Sequence, residues 1–147
     1  MTTIFFSQAM DFLKEEIIKE NLTTFINGLS QTNIRVVSGF DNYDIHKEQL
    51  SFRDKSVRIV QHDLELIKQS HILFADLSIP NRSYVGAIGE IIYAFQQNIP
   101  TIIYVGKTDN GKRYWLNYHA TFIGESFEEC LLVVKQHINM QINEKES

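Results

Sequence analysis

The sequence contains one cysteine, Cys130, only two prolines, and no apolar run of membrane-spanning length. A lone thiol excludes an intrachain disulfide and fits a reducing compartment, so a cytoplasmic protein is expected. The longest apolar runs, residues 72–75 and 102–105, are far too short to span a bilayer, so no membrane partner is expected. The opening MTTIFFSQAM has neither the basic segment nor the long apolar stretch of a secretory leader. Basic charge is also scarce: 14 basic residues face 18 acidic ones, for a formal net charge of -4. A nucleic-acid polymer needs a basic face to bind, so none is expected as a partner, whereas a small anionic ligand stays compatible. The five histidines, His46, His62, His71, His119 and His137, include no pair at metal-ligand spacing. Neither a metal nor another cofactor is expected.

What is present is an ordinary globular balance, 44% apolar and 22% charged over 147 residues, enough for one domain with a real core. Short apolar runs alternate with amphipathic stretches. Ile4, Phe5 and Phe6 read as a buried first strand. Residues 10–29 read as a helix, with Ile18, Leu22, Phe25 and Leu29 on one face. Residues 34–37 read as a second strand, followed by a polar loop, GFDNYDIHKEQ. Ser51 and Asp54 form a candidate capping box, with Val57, Val60, Leu64 and Ile67 as the inward stripe of the helix behind it. Ile72, Leu73, Phe74 and Ala75 carry no polar residue, which suits a central strand covered on both faces. A helix over 85–97, strands over 101–105 and 120–123, and a last helix entered at Ser126 and Glu129, with Phe127, Leu131, Val134 and Ile138 inward, complete the pattern. The alternation predicts a flavodoxin-like, doubly wound α/β domain with a mostly parallel five-stranded sheet. Ligands of such sheets sit at the carboxyl ends of the strands, which points to the loops after Phe6, Ala75 and Val105.

Three acids are candidates for chemistry. Glu90 follows Gly86, Ala87 and Gly89, small residues that admit close approach of a ligand. A carboxylate early in a helix is favoured by the dipole and suits a nucleophile, but it is also a commonplace helix-capping choice. Asp63 reads as a general acid or as a solvated helix residue paired with Lys68 or Arg58. Asp76 ends the third strand, where an Asp often bonds local backbone amides. Cys130, beside the apolar stripe of the last helix, reads as a core thiol. The aromatic run Arg113 to His119 is suited to stack on a base or to pack on a second subunit, and packing is preferred, since large aromatics are mainly buried area. Tyr43 is a possible base-stacking group; for Phe5 and Phe6 core packing is preferred.

The segment SHILFADLSIPNRSYVGAIGEIIYAFQQNIPTIIYV resembles the core of the nucleoside 2-deoxyribosyltransferase family. The matching pieces are Asp63, the strand ILFADL, Gly86, Glu90-Ile91, Ala94 and IPTIIY, in that order, and IFFSQAM resembles the family's first strand and pocket loop. The resemblance is good over residues 60–105 and loose elsewhere. It implies a domain over residues 1–142, and the final residues NEKES, 143–147, read as a frayed tail. It also implies cleavage of the N-glycosidic bond of a (deoxy)nucleoside or nucleotide. Glu90 would attack the anomeric carbon to give a covalent glycosyl-enzyme, and Asp63 would protonate the leaving base and later deprotonate the acceptor. Phe6, Ser7, Gln8, Asp76, Ser83 and Gly86 would contact the substrate, and a homo-oligomer with shared pockets would be the working form.

The loop before Gly86 departs from the transferases, which usually carry an Asp there. Arg82-Ser83-Tyr84 is closer to the related 2'-deoxynucleoside 5'-phosphate N-hydrolases, where a Ser faces a phosphate. The glycine-rich, arginine-bearing first loop of those hydrolases is replaced by FSQAMDFLK. Transfer to a base and hydrolysis by water therefore stay open. So do a nucleotide-binding module without turnover and a hydrolase of a larger nucleotide such as NAD.

Overall fold

The computed structural model describes residues 1–146, without the side chains of Asn42, Tyr43 and Glu146. Tyr43, a candidate stacking group, and Ser147, the end of the expected tail, therefore lie outside what is described. The order is β1 (Thr2–Gln8), α1 (Glu15–Leu29), β2 (Ile34–Ser38), a 3-10 helix (Gly39–Lys47), α2 (Phe52–Lys68), β3 (Ile72–Asp76), α3 (Val85–Gln96), β4 (Thr101–Tyr104), a short 3-10 turn (Asp109–Lys112), α4 (Tyr114–His119), β5 (Phe122–Gly124) and α5 (Phe127–Glu146). The strands form one sheet in the order β2-β1-β3-β4-β5, and every pairing is parallel. This is a flavodoxin-like fold, and the strand order reverses between β1 and β3.

The apolar run of β3 is explained by its place. It pairs with β1 and β4, and Ile72, Leu73, Phe74 and Ala75 are fully buried. Alternation along the strands splits the interior in two. Phe5, Leu73, Ala75 and Ile103 face Ile67 of α2 and Ala87, Ile91 and Ala94 of α3. Ile4, Phe6, Phe74 and Ile102 face Phe25 and Leu29 of α1 and Cys130, Leu131, Val134 and Ile138 of α5. Phe6, Phe25 and Phe74 stack against one another, with ring centroids 4.5 to 5.9 Å apart. Burial holds the Cys130 thiol up at about 11, as befits a core residue.

Several local expectations are corrected. α1 begins at Glu15, five residues later than the sequence suggests, because Met10 to Lys14 form a turn with Leu13 N–H donating to Met10 C=O. The polar segment after β2 is a 3-10 helix: Ser38 Oγ accepts from Phe40 N–H, and Asp41 Oδ2 accepts from Ser38 N–H. Ser51 does cap α2, accepting from Asp54 N–H at 3.1 Å. Of the α2 stripe only Ile67 is fully buried, while Val57 and Val60 are exposed, since the sheet end lies beneath the helix's last turns. The run 113–119 contains α4, in which Leu116 and His119 turn inward. Tyr114, Trp115 and Tyr118 stay exposed at 91%, 69% and 70% and do not pack into the core. α5 continues through residues 143–146, a stretch of helix-compatible polar residues read from sequence as a tail. Among the described residues no helix is long and apolar enough to cross a membrane.

Candidate active site

Two crossovers leave the sheet in opposite senses at β1 and β3, and a cleft of about 230 Å³ opens there at the strands' carboxyl ends. Its walls come from four places. The end of β1 and the following turn supply Ser7 and Met10; the start of the 3-10 helix supplies Gly39, with His46 further along it. α2 supplies Ile59, Val60 and Asp63, and α3 with its entry supplies Ser83, Gly86, Ala87 and Glu90. The exposure of Val60 thus belongs to a cleft wall.

Glu90 and Asp63 reach this cleft from different helices. Ser7, buried at the end of β1, donates from Oγ to Glu90 Oε1 at 2.8 Å. Burial first, and then the negative charge of Asp63, push Glu90 from its ordinary 4.5 up to about 8, against the lowering effect of the Ser7 hydrogen bond. Near neutrality the two-carboxylate site therefore keeps a proton. Arg58, one suggested partner of Asp63, pairs instead with Glu48.

The remaining substrate-contact candidates divide by strand parity. Ser7 and Phe5 face α3, whereas Phe6, Gln8 and Asp76 face α1 and α5. Phe6 borders the cleft, but its ring lies in the aromatic core. Gln8 also borders it, while its side chain is bound to α1: Nε2 donates to Ile18 C=O, and Oε1 accepts from Asn21 Nδ2. Asp76 lies outside the cleft, beside a separate depression with Asn21, Thr24 and Tyr104. Its Oδ1 accepts from the Ser78 N–H and hydroxyl, the turn role open to such a residue, and burial raises its pKa. Ser83 and Gly86 line the cleft, and a Cβ on Gly86 would meet no atom within 4 Å, so its backbone faces open space. Arg82 borders a different depression with Tyr84 and Arg113.

Sequence reasoning passed over Gly39 and Met10 as site residues. A Cβ on Gly39 would stand 3.3 Å from Met10 Sδ, a tight contact, and 3.5 Å from Asp63 Oδ2, an ordinary one, so the Gly39 backbone lies directly against both side chains. No periodicity or motif signals this; it depends on α2 passing over the start of the 3-10 helix. His46, dismissed as one of five scattered histidines, borders the same cleft. Among the described residues no group of three or more His, Cys, Asp or Glu side chains is placed to hold a metal ion.

No family model matches the sequence, and no curated protein matches it. Solved structures do. The 2-deoxyribosyltransferase of Bacillus psychrosaccharolyticus is similar over 91% of this chain and 90% of its own, at 19% identity and a TM-score of 0.63. A conserved protein of Enterococcus faecalis V583 is similar over 92% and 98%, at 18% identity and 0.66. The CMP N-glycosidase of Clostridium botulinum is similar over 92% and 99%, at 18% identity and 0.56. At these identities the likeness establishes a common fold over nearly the whole length of each chain.

Proposed function

We propose that this protein cleaves the N-glycosidic bond of a nucleoside or nucleotide, with Glu90 as nucleophile and Asp63 as general acid and base. The observation that carries the reading is the convergence of these two carboxylates, from α2 and α3, on one cleft at the switch point. The order of the matching motifs in the sequence supports it. So does the fold shared with a 2-deoxyribosyltransferase and a CMP N-glycosidase.

The chemistry needs one proton for two carboxyl groups. Asp63, protonated, gives its proton to the departing base while ionised Glu90 bonds to the anomeric carbon; Asp63 then takes a proton from the acceptor, a base or water. The raised pKa of Glu90 means that a proton is held by the pair near pH 7. Its transfer from Glu90 to Asp63 produces the reactive arrangement. Incubation with a panel of nucleosides and 5'-monophosphates, with and without an acceptor base, tests the proposal through release of free base. No release from any member of the panel would leave a binding module without turnover.

A second reading exchanges the roles. A carboxyl held protonated by burial suits a general acid, which would make Glu90 the acid and Asp63 the nucleophile. Intact-mass measurement of the stalled enzyme, followed by peptide mapping of the glycosylated residue, separates the two.

A further inference from the structure

β1 is apolar along Ile4, Phe5 and Phe6 and then places a hydroxyl, Ser7, in a setting only 1% exposed. A buried hydroxyl is costly unless it is hydrogen-bonded. Strand parity turns Ser7 toward α3, and its register opposite Ala75 sets it at the sheet's carboxyl end. There its Oγ donates to Glu90 Oε1. The bond makes the two oxygens of Glu90 inequivalent.

We propose that Ser7 is a positioning residue that holds Glu90 by Oε1 and commits Oε2 to the attack on the anomeric carbon. This rests on Glu90 being the nucleophile. In the first step the Oε2–carbon bond forms and the carbon–nitrogen bond breaks; its electron pair leaves with the base, which takes the Asp63 proton. Oε1 becomes the carbonyl oxygen of the glycosyl ester and keeps its hydrogen bond. In the second step the acceptor bonds to the same carbon and gives a proton to Asp63, and the carbon–Oε2 pair returns to Glu90. The carboxylate reformed there is a stronger acceptor than the ester carbonyl, so the Ser7 bond tightens as the leaving group develops charge. In the first step, where the bond loosens as Glu90 loses charge, Ser7 acts by orientation alone; in the second it also stabilises the departing carboxylate, and in the free enzyme it replaces part of the hydration lost on burial. Among the described residues the other titratable groups around the cleft are Asp63 from α2, Asp11 from the turn after β1, and His46 from the 3-10 helix.

The test compares Ser7→Ala, Ser7→Cys and Ser7→Thr with Glu90→Gln. A hydrogen bond to a charged group carries about 10- to 100-fold in an equilibrium. Ser7→Ala is expected to lower kcat by about that factor and to raise the pKa of Glu90, read by NMR of 13C-labelled glutamate side chains. Ser7→Thr, which keeps the hydroxyl, is expected to restore both. Ser7→Cys, close in volume but a weak donor, is expected to behave like Ala and covers the case in which Ala disturbs the strand. An inactive Glu90→Gln with unchanged kcat and Glu90 titration in Ser7→Ala and Ser7→Cys overturns the role of Ser7 and leaves the nucleophile standing. An active Glu90→Gln overturns both.

Discussion

Ser7 and Glu90 are 83 positions apart in the chain, and their side chains meet in a 2.8 Å hydrogen bond. The contact joins the end of the first strand to the second turn of α3 across the point where the sheet order reverses. It ties the candidate nucleophile to the buried centre of the sheet. A group held this way keeps its geometry while its protonation changes, which a carboxylate on a loop would not do.

The pH dependence of kcat/KM is expected to be bell-shaped, with its alkaline limb near pH 8. The active pair holds one proton, and burial together with the Asp63 charge sets the loss of that proton at about 8. Activity therefore falls as pH rises through 8. It falls again on the acid side, once both carboxyls are protonated. In Asp63→Asn the charge that repels the Glu90 carboxylate is gone, so the Glu90 titration moves down. Rate profiles of wild type, with NMR titration of Glu90 in both proteins, check this; a flat profile from pH 6 to about 9 would remove the shared proton from the mechanism.

Glu90→Gln is expected to lose turnover while gaining stability as pH rises. The folded pKa of Glu90 is raised above its ordinary value of 4.5, so the unfolded chain sheds this proton first. Wild-type stability then declines between pH 4.5 and about 8, and the deficit is constant above that. Gln has no such titration and can still accept from Ser7. Each pKa unit corresponds to about 1.4 kcal/mol, so the gap at pH 8 is expected to reach a few kcal/mol. Urea melts at pH 4.5 and 8.5 measure it. An equal difference at both pH values would mean that folding does not raise the pKa of Glu90.

Asp63→Asn is expected to lower kcat by about 10²–10⁴-fold for substrates whose base leaves poorly, and by less where the base is a good leaving group. A general acid matters most when the departing electron pair is least stable. A series of bases of graded acidity on one sugar reads the effect directly. A uniform loss across the series would assign Asp63 to positioning.

Much of this was legible from the sequence, for identifiable reasons. The unbroken apolar run Ile72–Leu73–Phe74–Ala75 suits a strand covered on both faces, and it is flanked by β1 and β4. The spacing of Leu131, Val134 and Ile138 gave the buried face of α5. What escaped depends on parity and on contacts between distant segments. One position along β1 separates Ser7, facing the cleft, from Gln8, bound to α1. Periodicity sees apolar stripes but not where the sheet ends beneath them, so Val60 was read as core though it is a cleft wall. The approach of Gly39 to Asp63 is visible only once α2 and the 3-10 helix are packed together.

The protein is expected to form a homo-oligomer, at least a two-fold dimer. Tyr114, Trp115 and Tyr118 share one face of α4, with Phe95 beside Tyr118 at a ring distance of 5.3 Å. A contiguous aromatic surface of this kind marks an interaction site more often than bare solvent contact, and Trp and Tyr are typical interface anchors. Light scattering at micromolar concentration measures the mass. Trp115 is the only tryptophan, so its emission is expected to shift to the blue as the protein is concentrated. Trp115→Glu is expected to shift the equilibrium to monomer. A wild-type monomer with solvent-like emission at all concentrations would refute the interface.

A 5'-phosphate is expected to be accepted at the Ser83 end of the cleft. The argument is electrostatic. A phosphate beside a fixed carboxylate meets like charge in a partly desolvated space where salt screens poorly. Ser83 brings no charge and offers a hydroxyl to the cleft. It immediately precedes Tyr84, the N-cap of α3, which makes no side-chain capping bond. The first amides of that helix therefore complement an anion, and Gly86 keeps the approach to them open. Arg82 contributes nothing to this argument, since it borders another depression. The comparison to make is a deoxynucleoside against its 5'-monophosphate, with wild type and Ser83→Asp. The monophosphate is expected to be turned over at least as well as the nucleoside by wild type. Ser83→Asp is expected to raise KM for the monophosphate about tenfold, as roughly 1.4 kcal/mol of repulsion would, with little change for the nucleoside. Wild type preferring the plain nucleoside, with no selective harm from Ser83→Asp, would exclude a phosphate at this loop and favour transfer between unphosphorylated nucleosides.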